Sequence, residues 1–464
     1  MARYAGCRRE TTSLGRPCRR SRSSRRRERA SNCAARAGIN KLDAWAVPVN
    51  ARMSVREVGT IRLFSTCRRA FYCIHDSEAA ILHASADDID RDISILGRVA
   101  VSKLDKTTKA EPVFPDKTRQ TAVLVFISGT TGGPKGVMVS HQALLYTGAN
   151  MAELRKVTSD DAFYNASPLS HAIGLGTVLM TAFWAGASVE LVTRFTPQHF
   201  VEALRDERIT AVTAVPTLFS RILEYADRER LSLRSRRPPF VATACAPLNL
   251  ALKAQVEEAF GVGMGNSHGM TECNPIARSA GRVETNEVGE LQPGVVVRLL
   301  GEDGNDVSAE EKGELWVRSP SLMLGYYRNE VAAQAALREG GWLATGDIAR
   351  IGPDGQLFII GRLRDLIICS GFNVYPAEVG SITSQYPGIA QAAVVGHEVS
   401  GNEEVVALVQ PKRARLVYKG SGEIGGLVAG VGQRILGGVS KHLIWRFFVA
   451  LRKEFEAPIS GKTE

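Results

Sequence analysis

Ser128, Gly129, Thr130, Thr131, Gly132, Gly133, Pro134, Lys135 and Gly136 form the stretch of this 464-residue chain best equipped for chemistry. The four glycines let the backbone turn tightly and expose N–H groups. The hydroxyls of Ser128, Thr130 and Thr131 add donors, and Lys135 adds a positive charge. That combination suits phosphate oxygens. It is not a Walker A loop, because the Gly-x-x-x-x-Gly-Lys-Ser/Thr spacing is not met. Taken alone, such a run also reads as a solvent loop rich in turn formers, so its surroundings decide. The eight cysteines include no Cys-x-x-Cys pair, which speaks against a disulfide framework or a zinc knuckle.

The elements around the loop alternate. Thr121 to Ile127 is a near-continuous apolar run that predicts a buried strand. After the loop, Ser140 caps an apolar-periodic helix running to about Leu154. The reading is strand, loop, helix. Helices are predicted at 172–185, 197–206, 217–226 and 249–259, with strands at 187–192, 210–214 and 240–243. Helices of this length between short buried strands predict a layered α/β domain. Beyond Glu287 the period shortens and Gly, Asp and Pro break the text into strands, which predicts a smaller β-rich region. A compact piece follows, with a helix near Pro376–Gln385 and strands at 391–396 and 404–409. Residues 51–119 are poorly patterned: 58–64 and 80–83 are short apolar stretches, and Asp87 to Lys117 reads as a loose surface segment.

Charge is concentrated at one end. Residues 1–50 hold thirteen basic and three acidic residues and so carry the whole net charge of +10, leaving 45 of each sign in the other 414. A globally basic, nucleic-acid-coating domain is excluded, and no specific nucleic-acid partner is expected. The basic N-terminus has no apolar run after it, so it is not a secretory signal, and a cytoplasmic protein is expected. The uncharged run Ala172 to Val189 has the bare length of a membrane helix. Its glycines and strand-like end predict a buried helix followed by a strand, with no transmembrane segment.

Four motifs in order give the loop its context. SGTTGGPKG (128–136), HGMTE (268–272), TGDIA (345–349) and GRLRDLIICSGFNVYPAEV (361–379) closely resemble the signatures of the AMP-forming acyl-activating synthetases. That superfamily includes acyl-CoA synthetases, luciferases and peptide-synthetase adenylation domains. The resemblance covers about 51–412. It implies an α/β adenylating fold of the ANL type: a large layered α/β N-terminal domain with a β-rich subdomain, and a small mobile C-terminal α+β lid. The corresponding divisions are a basic, disordered tail at 1–50, the AMP-binding domain at 51–361, a partial lid at 362–412 and an atypical helical tail at 413–464.

The resemblance also implies roles. Thr130, Thr131 and Lys135 would hold the ATP β/γ-phosphates, with Ser128 and the loop glycines completing the cradle. Thr271 and Glu272 would sit at the α-phosphate, Glu272 on Mg²⁺, and a carboxylate beside a phosphate loop makes sense only with a cation between them. His268, with Gly269, would stack on adenine in place of the commoner tyrosine. Asp347 would accept the ribose hydroxyls and Arg362 would contact the ribose–phosphate region. Arg364 takes the hinge position, Gly371 lines the pantetheine passage, and His171 lies near the acyl pocket. The implied reaction is ATP-dependent activation of a fatty or aryl carboxylic acid to an acyl-adenylate, followed by transfer to coenzyme A.

Departures from the pattern set an alternative beside that reading. Ala244 and Cys245 stand where family members carry glycines. After Pro411 the lid pattern stops, and 417–455 resembles instead a C-terminal piece of the small helix-grip proteins associated with carbon monoxide dehydrogenase. Gly461-Lys462 is a candidate replacement for the lid lysine. A stripe of Leu427, Val431, Ile435, Val439 and Leu443 would need burial on the core or in a homodimer. The chain thus reads as a truncated or rearranged ligase, and the alternative is a catalytically impaired, nucleotide-binding remnant of one.

Overall fold

A computed structural model describes residues between 45 and 411, apart from short stretches that include 74–88, 128–133, 280–286 and 370–371. The expectations for Ser128, Gly129, Thr130, Thr131, Gly132, Gly133 and Gly371 therefore lie outside the described residues. So do those for 80–83, 417–455, Lys462 and the Leu427–Leu443 stripe.

The central element is a twelve-stranded mixed sheet. One end is parallel: Ser188–Leu191, Ala162–Asn165, Ala211–Ala214, Phe240–Ala244 and Met264–Met270 lie side by side in that order. The inner strands Ala211–Ala214 and Phe240–Ala244 are short and almost wholly buried, as sequences such as AVTA require when helices cover both faces. Met264–Met270 then turns back antiparallel into Cys273–Arg278. The sheet continues through Gly289–Leu291, Gln356–Arg362, Trp342–Ile351, Gly313–Arg318 and Val296–Leu300. In Gly313–Arg318 buried and half-buried residues alternate, the period-2 signature of a sheet with one wet face.

Helices Pro197–Arg205, Pro216–Arg228 and Leu250–Phe260 pack on the parallel end, with Phe200, Phe219, Ile222, Val256 and Phe260 in one apolar cluster. Their starts follow local chemistry. Thr196 caps the first helix by accepting from His199 N–H, and Asn249 caps the third. Gly261 ends the third in a left-handed conformation (φ 71°). Helix His141–Leu154 begins at Ser140, whose Oγ accepts from Ala143 N at 3.0 Å.

The 172–185 segment is helical and strand Ser188–Leu191 follows, but burial holds only up to Ala182, since Phe183 and Trp184 are exposed. Its first part, Ile173–Met180, is a π-helix, with α-helix from Thr181 to Ala185. Gly174 within the π-helix has a packing reason for being glycine: a Cβ there would lie 2.3 Å from the carbonyl oxygen of Pro168. No helix among the described residues is long and apolar enough to cross a membrane.

Three readings need correction. The phosphate loop does not lead directly into a helix. Lys135–Ser140 is a strand antiparallel to Thr121–Ile127, so the loop joins a hairpin whose register sets Ile127 opposite Lys135. The alternation of Val137 and Val139 with Met138 and Ser140 carried that strand signal, too short to stand out beside a long helix. Within the loose segment Asp87–Lys117, Ile89–Ile93 and Val99–Ser102 pair antiparallel and Phe71–Cys73 joins them. Finally, Ala46 lies inside the stretch read as tail, yet it is 5% exposed and bridges to Val123, with Leu124 N donating to its carbonyl at 2.8 Å.

Past the sheet, Ile367–Cys369 pairs with Phe372–Val374, helix Pro376–Ser384 follows, and Ile389–Val399 pairs with Asn402–Pro411. Lys312 Nζ reaches the Glu378 carboxylate at 3.0 Å and ties this piece to the sheet.

Candidate active site

Among the parallel strands, successive chain segments leave Ala162–Asn165 on opposite sides, which makes a switch point in the strand order. Ligands of open α/β sheets bind beyond the carboxyl ends of strands at such a point. His171 follows the strand Ala162–Asn165, Cys245 follows Phe240–Ala244, and Thr271 and Glu272 follow Met264–Met270, so these termini collect the motif residues.

Glu272 is 5% exposed and accepts from the hydroxyl of Tyr326 at 2.6 Å. Burial and the Glu272 charge both push the Tyr326 pKa up, so the phenol stays protonated and donates. Lys135 Nζ lies 5.2 Å over the Tyr326 ring, close enough for a cation–π contact. Tyr326 thereby joins the end of the phosphate loop to the carboxylate. It belongs to the strand Gly325–Tyr326, which pairs with Val137 and Met138. The sequence reading missed this residue, because nothing within GYYRN marks one tyrosine as reaching a carboxylate 54 positions away.

Gly136 and Gly269 are close-approach positions. A Cβ at Gly136 would press on Leu124 and Phe126, and one at Gly269 would lie 2.8 Å from Asn274 Oδ1. Gly136 thus has a packing reason for being glycine.

Asp347 is 2% exposed and sits opposite Arg362 in the hairpin of Trp342–Ile351 and Gln356–Arg362. Its Oδ1 accepts from Arg362 Nε at 3.1 Å. Its Oδ2 lies 3.1 Å from His268 Nε2, but the two are not aligned as a hydrogen bond, and both atoms are buried without a partner. Buried polar atoms are rarely left so. The arrangement leaves one carboxylate oxygen and one ring nitrogen open to a polar ligand. Arg362 and Arg364 are exposed, Arg364 against Asp365 at 3.4 Å.

His171 accepts the Ile173 N–H at Nδ1 (3.2 Å), which puts the ring proton on Nε2 in the neutral form. Partial burial lowers its pKa in the same direction. Cys245 adopts φ 68°, a left-handed conformation that favours glycine, and its thiol is exposed.

The described structure brings together Lys135, Glu272 and Tyr326, and separately His268, Asp347 and Arg362. His171 and Arg364 belong to neither cluster: the first bonds to Ile173 and the second to Asp365.

Comparison with known proteins agrees. A family of AMP-binding enzymes matches residues 28–327. An indoleacetate–CoA ligase of Aromatoleum aromaticum is 32% identical over 323 residues, covering 68% of this chain and 62% of that ligase. A feruloyl-CoA synthase of Amycolatopsis is 31% identical over 358 residues, covering 75% and 70%. The chain thus spans between six and seven tenths of these relatives. The fold is shared with O-succinylbenzoate coenzyme A synthetase (MenE) of Bacillus subtilis, solved with ATP and magnesium ion, at a TM-score of 0.65, 24% identity and coverage of 83% of this chain and 78% of that one. With the motif residues gathered at the strand termini, these matches show that the chain belongs to the AMP-binding enzyme family.

Proposed function

We propose that the protein is an AMP-forming acid:CoA ligase acting on a carboxylic acid, ATP and coenzyme A. A carboxylate is a poor electrophile because its oxygen is a hopeless leaving group. Attack of the acid's oxygen on the α-phosphorus of ATP expels pyrophosphate and leaves the acyl group on AMP. The coenzyme A thiol then attacks the acyl carbon and AMP departs. No side-chain nucleophile is needed, so the residues act by positioning and electrostatics.

The observation that carries the reading is the line from Lys135, which follows the phosphate loop in the chain, through Tyr326 to the buried Glu272. In this reading Lys135, with Thr130 and Thr131, steadies the β/γ-phosphates, and Thr271 and Glu272 face the α-phosphate. Asp347 takes the ribose hydroxyls on the oxygen that Arg362 leaves open, and His268 lies along adenine. His171 borders the acid. The domain divisions at 361/362 and 412/413, a hinge at Arg364 and a thiol passage at Gly371 belong to the same proposal, as does a cytoplasmic location.

Magnesium fits Glu272. The carboxylate is buried and held by a neutral hydroxyl, with no ion pair among the described residues. Those residues contain no group of three or more His, Cys, Asp or Glu able to hold a metal. One carboxylate, with phosphates and water for the rest, is what Mg²⁺ ordinarily takes. When bound, it would neutralise charge on the leaving pyrophosphate.

The test is acid-dependent ATP–pyrophosphate exchange by the full chain with Mg²⁺, across a panel from acetate through long-chain fatty acids to benzoate and hydroxycinnamates. Exchange with one acid class is expected. Folded, ATP-binding protein that exchanges with none would refute the ligase reading and leave a nucleotide-binding protein.

A further inference from the structure

Two arginines, one buried and one half-buried, stand behind the site without an anion. Arg278, the last residue of strand Cys273–Arg278, is 3% exposed. Its Nη2 reaches only neutral acceptors, Thr177 Oγ1 at 3.3 Å and Asn274 Oδ1 at 3.4 Å. Its Nε and Nη1 are buried with no acceptor. Arg155, just past helix His141–Leu154, donates from Nη1 to Thr213 Oγ1 at 2.9 Å and lies 3.9 Å over the Phe240 ring. Its Nε is also buried and unpartnered.

No ion pair among the described residues includes either arginine. Burial lowers the Arg278 pKa to about 9, and burial with the Arg278 charge lowers that of Arg155. At neutral pH Arg278 is still a cation. An unpaired buried cation is costly, and a second one beside it raises the cost.

The position of the pair indicates what would relieve it. Asn274, which accepts from Arg278, is the side chain that a Cβ on Gly269 would strike at 2.8 Å and a Cβ on Gly176 at 3.1 Å. Arg278 is thus one side chain behind Gly269, against the helix that follows His171. An anionic group reaching Arg278 from the Gly269 side would belong to a molecule seated at the adenylation site. Guanidinium and carboxylate planes match, and such charge-assisted bonds are the strong ones.

We propose that Arg278, supported by Arg155, binds a second carboxylate of the acid, so that the preferred substrates are dicarboxylic acids activated at the far carboxylate. This rests on the acid-activating reading above and narrows its substrate class.

The experiment is isothermal titration of the full chain with matched pairs: butyrate and succinate, pentanoate and glutarate, hexanoate and adipate, benzoate and terephthalate. At least one diacid is expected to bind roughly 10- to 100-fold tighter than its partner. Arg278→Met should erase that preference, and Arg278→Lys should keep part of it. Arg278→Met should also raise the melting temperature, because it removes an unpaired buried charge. If Arg278→Met does not fold, Arg155→Met is read by the same criterion. The proposal is overturned if no diacid outranks its partner or if the preference survives the substitution. It is equally overturned if sulfate binds as tightly through Arg278, which would make the site one for bare anions. Pyrophosphate exchange is scored separately. Diacid preference without exchange would sink the ligase reading alone, and exchange without diacid preference would sink this one alone.

Discussion

Tyr326→Phe isolates a single hydroxyl. The ring is 8% exposed and carries the contact with Lys135, and phenylalanine keeps both the packing and the ring face. What disappears is the 2.6 Å hydrogen bond to Glu272. A hydrogen bond to a charged group contributes about 1.5–3 kcal/mol, and outer-sphere partners of metal-binding carboxylates typically change affinity or activity by about 10- to 100-fold. With Glu272 buried, no water replaces the hydroxyl at full strength, so the upper half of that range applies. The assay is the Mg²⁺ dependence of pyrophosphate exchange at saturating ATP. The half-saturating Mg²⁺ concentration should rise, or the plateau rate fall, by about 30- to 100-fold, with a circular dichroism spectrum like that of the parent. Mg²⁺ dependence and rate both within about twofold of the parent would refute the link between Tyr326 and the metal-binding role of Glu272.

Three further outcomes follow from single observations. Asp347→Asn removes the charge that Arg362 and a ribose would share, and ATP affinity measured by calorimetry should fall about 10- to 100-fold; an unchanged affinity would place the ribose elsewhere. Cys245→Gly relieves a left-handed residue with an exposed side chain and should stabilise the fold by up to about 1 kcal/mol in urea unfolding, so a loss of stability would contradict the strain. Burial raises both thiol pKa values, that of Cys273 from 9.0 to about 11, but Cys245 is exposed and Cys273 buried, so at pH 8 a maleimide should label Cys245 in the folded protein and leave Cys273 untouched. The sign for stability follows: the folded chain keeps the Cys273 proton after the unfolded chain has lost it. The Cys273 contribution is therefore present below pH 9 and is lost as pH rises toward 11. Cys273→Ala should remove that part of the fall, and an unchanged slope would refute it.

Much of the architecture was legible in the chain because its signals are local. A buried parallel strand writes itself as an apolar run, and a cap such as Ser140 marks a helix start through a hydrogen bond that spans only a few residues. The four motifs were legible for the same reason, since a phosphate loop or a strand terminus needs its residues contiguous. The strand Lys135–Ser140 was missed because six residues between a glycine loop and a long amphipathic helix carry little periodicity. Its pairing partner, Thr121–Ile127, is what stabilises it. Ile89–Ile93 and Val99–Ser102 were missed likewise, since charged residues such as Asp90 and Arg91 are tolerated in strands whose pairing comes from elsewhere.

The sequence by itself therefore determined the alternation of elements, the location of the charge and the identity of the motif residues. Tertiary structure alone decided which side chains meet. Tyr326 reaches Glu272 only because the strand Gly325–Tyr326 pairs with the loop's own hairpin. Asp347 accepts from Arg362 and lies beside His268 only because hairpin register sets the arginine opposite it, and the mixed sheet brings the histidine from another strand. Arg155 and Arg278 look ordinary in the sequence, being two of many arginines. They stand out because packing buries Arg278 and the Nε of Arg155 and supplies no carboxylate, a property of the assembled neighbourhood that no local window of sequence contains.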